Sequence, residues 1–420
     1  MTGLAATPDD SRKGQDRPAP PLRSNPAYRR LWSAVAISET GDWLLFIALP
    51  LYVLQASASA LDTSGVFLAE LAPAVLVGIV GGPLVDRWHA GRLLTALTSS
   101  QALLLLPLLW LGPERLWIVY AVAAVQAAIT SITTPALQAV VPSVVEPRQL
   151  SRANALAQTA SNAARLVGAP LGGVLLPVLG LDGLVVGDMA SFLASAALLA
   201  ASPRSVPPSP AQPSGRLAAI GDGARAVRRN PTLISALVVS FLAAVAQGLF
   251  LVLFVLFVLR SLHAGDQVVG LLRGVQAIGG VLGGLLVGTW ARHLAARTLT
   301  IAGLGAFGLL SLLTWNSPAV TTETWWYLGL FIAVGLPGAA LITGLLTETQ
   351  RTSPSGVLGR VLSLIQVAQA LGQGTGILLA GLLSSTVSLA VLLNIQASCY
   401  LACAVVAVIG FDPIRRPGES

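Results

Sequence analysis

The sequence predicts an all-α membrane protein of about twelve transmembrane helices, arranged as two pseudo-symmetric six-helix bundles. Three observations point there. Apolar residues make up 54% of the 420-residue chain and charged residues only 10%, with a mean hydropathy of +0.76. A soluble chain of this length needs roughly a quarter of its residues charged to cover its surface. Long stretches such as Phe241–Leu259 and Leu299–Thr322 contain no charge at all. Finally, basic residues recur between alternate apolar stretches, and short motifs repeat in the two halves.

Taken in order, the apolar stretches fall at 31–55, 64–85, 93–112, 116–139, 153–178 and 184–202, then at 232–259, 267–290, 298–315, 325–347, 360–384 and 387–410. Each is close to the length needed to span hydrocarbon as a helix. Only helices or closed barrels satisfy the backbone in lipid, and these runs are too long and too evenly apolar for barrel strands. The 42 glycines suit close helix–helix approach. Residues 1–27 are polar and Pro-rich without an apolar core, which predicts a disordered cytoplasmic tail rather than a signal peptide. The Pro-, Ser- and Arg-rich stretch 203–231 predicts a cytoplasmic linker, which leaves 28–202 and 232–410 as the two bundles and 411–420 as a second tail.

Charge sets the expected orientation. With the N-terminus inside, all 25 basic residues except Arg115, Arg260, Arg165 and Arg273 lie in cytoplasmic segments, a strong positive-inside bias. Both termini are then cytoplasmic and the expected location is the plasma (inner) membrane. The net charge of +7 is carried by these loops, which implies contact with anionic lipid headgroups; no concentrated basic face for nucleic acid is present.

Duplication is visible locally. Gly82-Pro83-Leu84-Val85-Asp86-Arg87-Trp88 ends the second span and Gly284-Leu285-Leu286-Val287-Gly288-Thr289-Trp290 the eighth. Gly168–Gly173 in the fifth span matches the Gly-rich run Gly372–Gly376 in the eleventh. Six-helix halves with a site between them near the midplane are a transporter architecture.

Ionisable groups at membrane depth are costly and are functional candidates by default. The acids are Glu39, Asp42, Glu70 and Asp188, and the bases are Arg165 and Arg273. Glu39 and Asp42 share a helix face, and two carboxylates that close in low dielectric should not both stay ionised, which suits a proton carrier. Arg165, at similar depth, could be their partner, as a fixed counter-ion or as a group that binds substrate. Glu70 and Arg273 occupy corresponding spans and could form an outer gate or snorkel to headgroups. Gln366, Gln369 and Gln373 lie along one face of the eleventh span. With Gln126 and Gln247 they could line a polar cavity or simply bond between helices.

Other chemistry has little support. There is no phosphate-binding Gly-x4-Gly-Lys string, and Lys13 is the only lysine. His89, His263 and His293 are far apart and lack metal-ligand spacing. Cys399 and Cys403 read as small packing residues. No cofactor, metal or catalytic residue is expected.

Four places carry a resemblance to a known family. They are Asn25-Pro26-Ala27-Tyr28-Arg29-Arg30-Leu31-Trp32 with Ser38-Glu39-Thr40-Gly41-Asp42; Gly82-x-Leu84-x-Asp86-Arg87 with Arg92; Pro135-Ala136-Leu137-Gln138 with Leu150-Ser151-Arg152-Ala153-Asn154; and Gly359-Arg360-Val361-Leu362-Ser363. Together they resemble the major facilitator superfamily, and within it the macrolide-efflux and enterobactin-exporter-like branch. The resemblance implies a proton-coupled secondary transporter, expected as a monomer, that exports a small amphipathic compound by alternating access, with an importer of a small solute on the same fold as the alternative. It also implies a cytoplasmic gate in which Asp86, Arg87 and Arg92 meet the start of the eleventh span at Arg360. Two departures stand out. The proline of the fifth-span motif is displaced by one in Gly168-Ala169-Pro170, and the fourth span carries no arginine. The proton site is therefore expected on Glu39 and Asp42.

Overall fold

The computed structural model describes residues 22–87, 89–146, 149–201, 225–354 and 357–411. Among them there is helix and no strand. Among the described residues, ten helices are long and apolar enough to cross a membrane. The longest of these, within Leu150–Ala200, is two helices merged at Gly180, whose φ of 66° breaks the run. Tyr28 Oη donates to Ala153 O and Arg30 Nη1 to Ala201 O. Both ends of the run thus return to the start of the first helix, and the chain reverses at Gly180, a conformation glycine adopts without steric cost.

The helices are α1 (Pro26–Ser57), α2 (Ala60–Arg87), α3 (Ala90–Leu104, continued by a tighter turn at Leu106–Trp110), α4 (Trp117–Val144), α5 (150–179) and α6 (181–200). The second half has α7 (Pro231–Leu256), α8 (Asp266–Thr289), α9 (Ala296–Asn316), α10 (Thr324–Thr352), α11 (Leu358–Leu383) and α12 (Leu389–Gly410). The bounds lie within a few residues of the apolar runs. The exceptions have local causes: α1 starts early because Asn25 caps it, and α3 stops early just before Pro107, which cannot donate to a helical ladder. The expected tails and linker lie largely outside the described residues. Of the first tail, Leu22–Ser24 form a 3-10 turn and Leu22 is buried beside Tyr28.

The two halves use the same devices at the same places. Asn25 and Asn230 each precede a proline and cap their helix, the side-chain oxygen accepting from two backbone N–H groups. Each amide then donates to the last turn of another helix: Asn25 Nδ2 to Val144 O at 2.6 Å and Asn230 Nδ2 to Thr352 O at 3.2 Å. Gly168 and Gly172 bring α5 onto the α1 backbone at Thr40 and Leu44. Gly372 and Gly376 bring α11 onto α7 at Phe241 and Val245. Small residues one turn apart allow this approach in lipid, where packing rather than hydrophobicity drives association.

These contacts place both ends of the described chain at one end of the bundle, here the terminus end. The halves meet at the other, distal, end. Gly270 and Gly274 on α8 rest on Ala169 and Pro170 of α5, and Gly381 and Gly374 on α11 face Ser64 and Leu71 of α2. Gln55 Nε2 donates to Asp266 Oδ2 at 2.6 Å. Behind this seal, Phe46 and Phe67 of the first half confront Phe250 and Phe254 of the second around a void of only about 10 Å³. Toward the terminus end the inner helices expose polar groups instead, including Gln158, Thr159, Ser363 and Gln366.

Candidate transport cavity

Asp42 projects from the middle of α1 into a cavity of about 410 Å³ inside the first half. Glu70 of α2 and Asp188 of α6 line the same space, as does Gln126 of α4. Asp188 is 1% exposed; it accepts from Ser191 Oγ at 2.9 Å and lies against Gly41, where any Cβ would displace it. Glu39, one turn from Asp42, lies beside Ser161 of α5 and within electrostatic reach of Asp42, as do Asp188 and Glu70. Four carboxyl groups from three helices therefore converge. Among the described residues no arginine forms an ion pair with any of them. Groups gathered this way in low dielectric cannot all be ionised together, so the cluster can carry protons. Gln126 Oε1 is buried there without a hydrogen-bond partner.

Arg165 does not pair with the α1 carboxylates. Its guanidinium lies over the Trp43 ring, 5.5 Å from the centroid, and its buried Nε has no partner. The reason is helical register: Glu39 and Trp43 are one turn apart on α1, as are Ser161 and Arg165 on α5. The two rungs match serine to acid and arginine to ring. Arg165 sits on the opposite side of α5 from Val167, Val174 and Val178, which are 50%, 48% and 73% exposed, so it points inward.

Glu70 and Arg273 are not brought together. Arg273 is buried at the distal seal, over Phe250 at 5.0 Å and Phe46 at 6.0 Å, and donates to Gln276 Oε1 at 2.9 Å. It is enclosed in the protein and does not snorkel. Glu70 faces the carboxylate cavity instead.

The second half has no acid at the matching place. A small cavity there is lined by Gln247, Gln276, Gln396 and Tyr400, and Trp315 Nε1 donates to Gln396 Oε1 at 2.9 Å. On α11, Leu371, Leu378 and Leu382 form an exposed apolar face. Gln366, Gln369 and Gln373 lie on the opposite side of that helix, the first two exposed. Exposed leucines suit lipid; exposed glutamines facing the other way suit a water-filled vestibule between the halves.

Of the expected gate, the side chains of Asp86 and Arg87 lie outside the described residues. Arg92 is exposed at the terminus end of α3, and Arg360 is half-buried in the first turn of α11. From the sequence alone Asp188 is expected at depth with no partner, and Trp43, Thr98, Gln101 and Ser195 carry no expected role. No spacing within one helix signals contacts between helices.

Residues 17–415 match the family described as transmembrane secretion effector, MFS_3. The chain is similar to the uncharacterized MFS-type transporter YfiS of Bacillus subtilis (strain 168), at 25% identity over 93% of this chain and 94% of that protein. It is also similar to the uncharacterized MFS-type transporter y4rN of Sinorhizobium fredii, at 26% identity over 94% and 97%. Its fold matches a bacterial homologue of the iron transporter ferroportin in the inward-facing state, with a TM-score of 0.69 and 17% identity over 93% of this chain and 99% of that one. It likewise matches the nucleoside transporter NupG, with a TM-score of 0.73 and 12% identity over 93% and 100%. With twelve helices in two matched halves among the described residues, a family match across both and transporters as relatives, the chain is a multi-pass membrane transporter of the major facilitator type and belongs to the transmembrane secretion effector family.

Proposed function

We propose that the protein is a proton-coupled exporter of a small amphipathic compound, such as a drug, antibiotic or siderophore. It works as a monomer in the inner membrane with its terminus end in the cytoplasm. The observation that carries this reading is the gathering of Asp42, Glu39, Glu70 and Asp188 without a paired cation. Export is supported by the secretion family, and orientation by the arginine asymmetry.

In this conformation the distal end is sealed and the vestibule faces the terminus end. A compound entering there meets the α11 glutamines and the Arg165–Trp43 pair, a surface with both hydrogen-bonding and aromatic character. α1 links this site to the seal. Asp42 lies one turn from Phe46, whose ring meets Arg273 across the halves. Loading or losing a proton at Asp42 changes the charge on α1 and so the relative stability of the two states, by the differential interaction each state makes with that charge.

The test uses everted vesicles with an imposed pH gradient and a panel of amphipathic compounds. Proton-driven accumulation of at least one compound, lost in Asp42→Asn, is expected. Accumulation of none, or only in right-side-out vesicles, would favour an importer of the same fold.

A further inference from the structure

The first half contains a row of cavities that the vestibule does not explain. At the terminus end, a space of about 370 Å³ lies between Leu31, Arg92, Thr95 and Val140. Deeper, about 110 Å³ is bordered by Ser38, Glu39, Thr98, Gln101, Thr133 and Ser195. Deepest is the 410 Å³ space at Asp42. Leu94 and Leu199 border both the first and the second. Asp42, Thr130 and Thr134 border both the second and the third.

We infer that this row is a proton route from the water at the terminus end to Asp42, running inside the first half and separate from the substrate vestibule. The inference rests on the coupling reading above. Among the described residues none of α5 or of the second half borders any of the three cavities, so a bound compound would not obstruct it.

The lining chemistry fits. Thr98, Gln101 and Ser195 are 5%, 4% and 2% exposed, positions where packing alone would favour apolar side chains. Gln101 Nε2 donates to Thr130 Oγ1 at 3.3 Å, tying α3 to α4 beside the middle space. Hydroxyls and amides both donate and accept, as a water chain that relays protons requires. A space of about 110 Å³ has room for several waters. The charged groups facing the row are Glu39 and Asp42 from α1, Glu70 from α2 and Asp188 from α6, with Arg92 of α3 exposed at its rim. α4 supplies none among the described residues.

The residues shared by the first two spaces are apolar. Leu94 and Leu199 sit in a buried cluster with Leu31, Ala34 and Val140. Such a collar stays dry when packed, which would prevent a standing leak, and would admit water only when the packing loosens.

The test uses the full chain, with Cys399→Ala and Cys403→Ala, reconstituted in liposomes with a trapped pH dye and a potassium-set potential, without substrate. Leu94→Ala with Leu199→Ala should raise proton leak at least fivefold over the parent, and adding Asp42→Asn should return it to the parent rate. Ser195→Cys should react with a charged methanethiosulfonate from the terminus side, and faster once the collar is opened. If the double variant does not reconstitute, Leu199→Ala alone is read in the same way. An unchanged leak, or a raised leak that persists with Asp42→Asn, would overturn the route. These readouts need no substrate. A route that passes while Asp42→Asn keeps proton-driven transport would defeat the coupling reading alone; the converse would defeat the route alone.

Discussion

Gly270→Ala tests the distal seal in a way that can be worked from the structure. A methyl added at Gly270 would overlap the Ala169 carbonyl oxygen, 3.0 Å from its carbon, and would approach Gly173 N at 3.1 Å. These are backbone atoms of α5 and cannot rotate away. Restoring ordinary contact requires α5 and α8 to part by about 1 Å at this end. Overpacking of that kind costs about 1–3 kcal/mol, and under alternating access the cost should fall on the distally closed state, because opening that end would separate α5 from α8. At tenfold per 1.4 kcal/mol, the equilibrium should move roughly 5- to 140-fold toward the distally open state. Spin labels at Glu114→Cys and Glu323→Cys, exposed in distal loops of opposite halves, in a background lacking Cys399 and Cys403, would read it as growth of a long-distance population. A distance distribution identical to that of the labelled parent, in protein that is folded and monodisperse, would show that the seal does not depend on this contact.

Three further outcomes follow from single contacts. Asn25→Ala and Asn230→Ala each remove a helix cap and a bond to the other helix end. Each should lower stability by about 1 kcal/mol, with similar shifts in thermal unfolding because the two play matching roles. Gln396→Leu strands the buried Trp315 N–H and should cost about 1–3 kcal/mol; adding Trp315→Phe should recover part of it, as a double-mutant cycle would measure. Arg273 is a buried cation held by two rings and one amide, without a carboxylate. Because burying an unpaired charge is costly, Arg273→Met should raise the unfolding temperature while impairing transport. A fall of several degrees would mean that the stacking outweighs desolvation.

How much of this was legible in the sequence depends on whether a feature lies within one helix or between two. The spans were readable because each is a run of apolar residues long enough to cross lipid. The reversal at Gly180 was readable as the gap between two such runs. Gly168 with Gly172 and Gly372 with Gly376 were visible as matching strings, and the structure uses them for matching contacts. Partnerships across helices were not readable. Glu39, Asp42 and Arg165 lie at similar depth, which suggested an ion pair. The rotation of α5 about its axis instead sets Arg165 on Trp43 and Ser161 on Glu39. Glu70 and Arg273 match in chain position, yet Glu70 turns into the first half and Arg273 into the seal. Asp188 joins Asp42 only because Gly41 leaves room for it, a fit that becomes apparent once α1 and α6 are placed side by side.

The central claim is that carboxylates inside the first half couple proton entry to outward movement of a compound. The most direct measurement is the discharge of a preformed pH gradient in everted vesicles when candidate amphipathic compounds are added, followed by a pH-sensitive dye. The account predicts that at least one compound discharges the gradient with the native protein, and that Asp42→Asn, present at equal level, abolishes that discharge. Discharge of equal rate and extent with Asp42→Asn would contradict it.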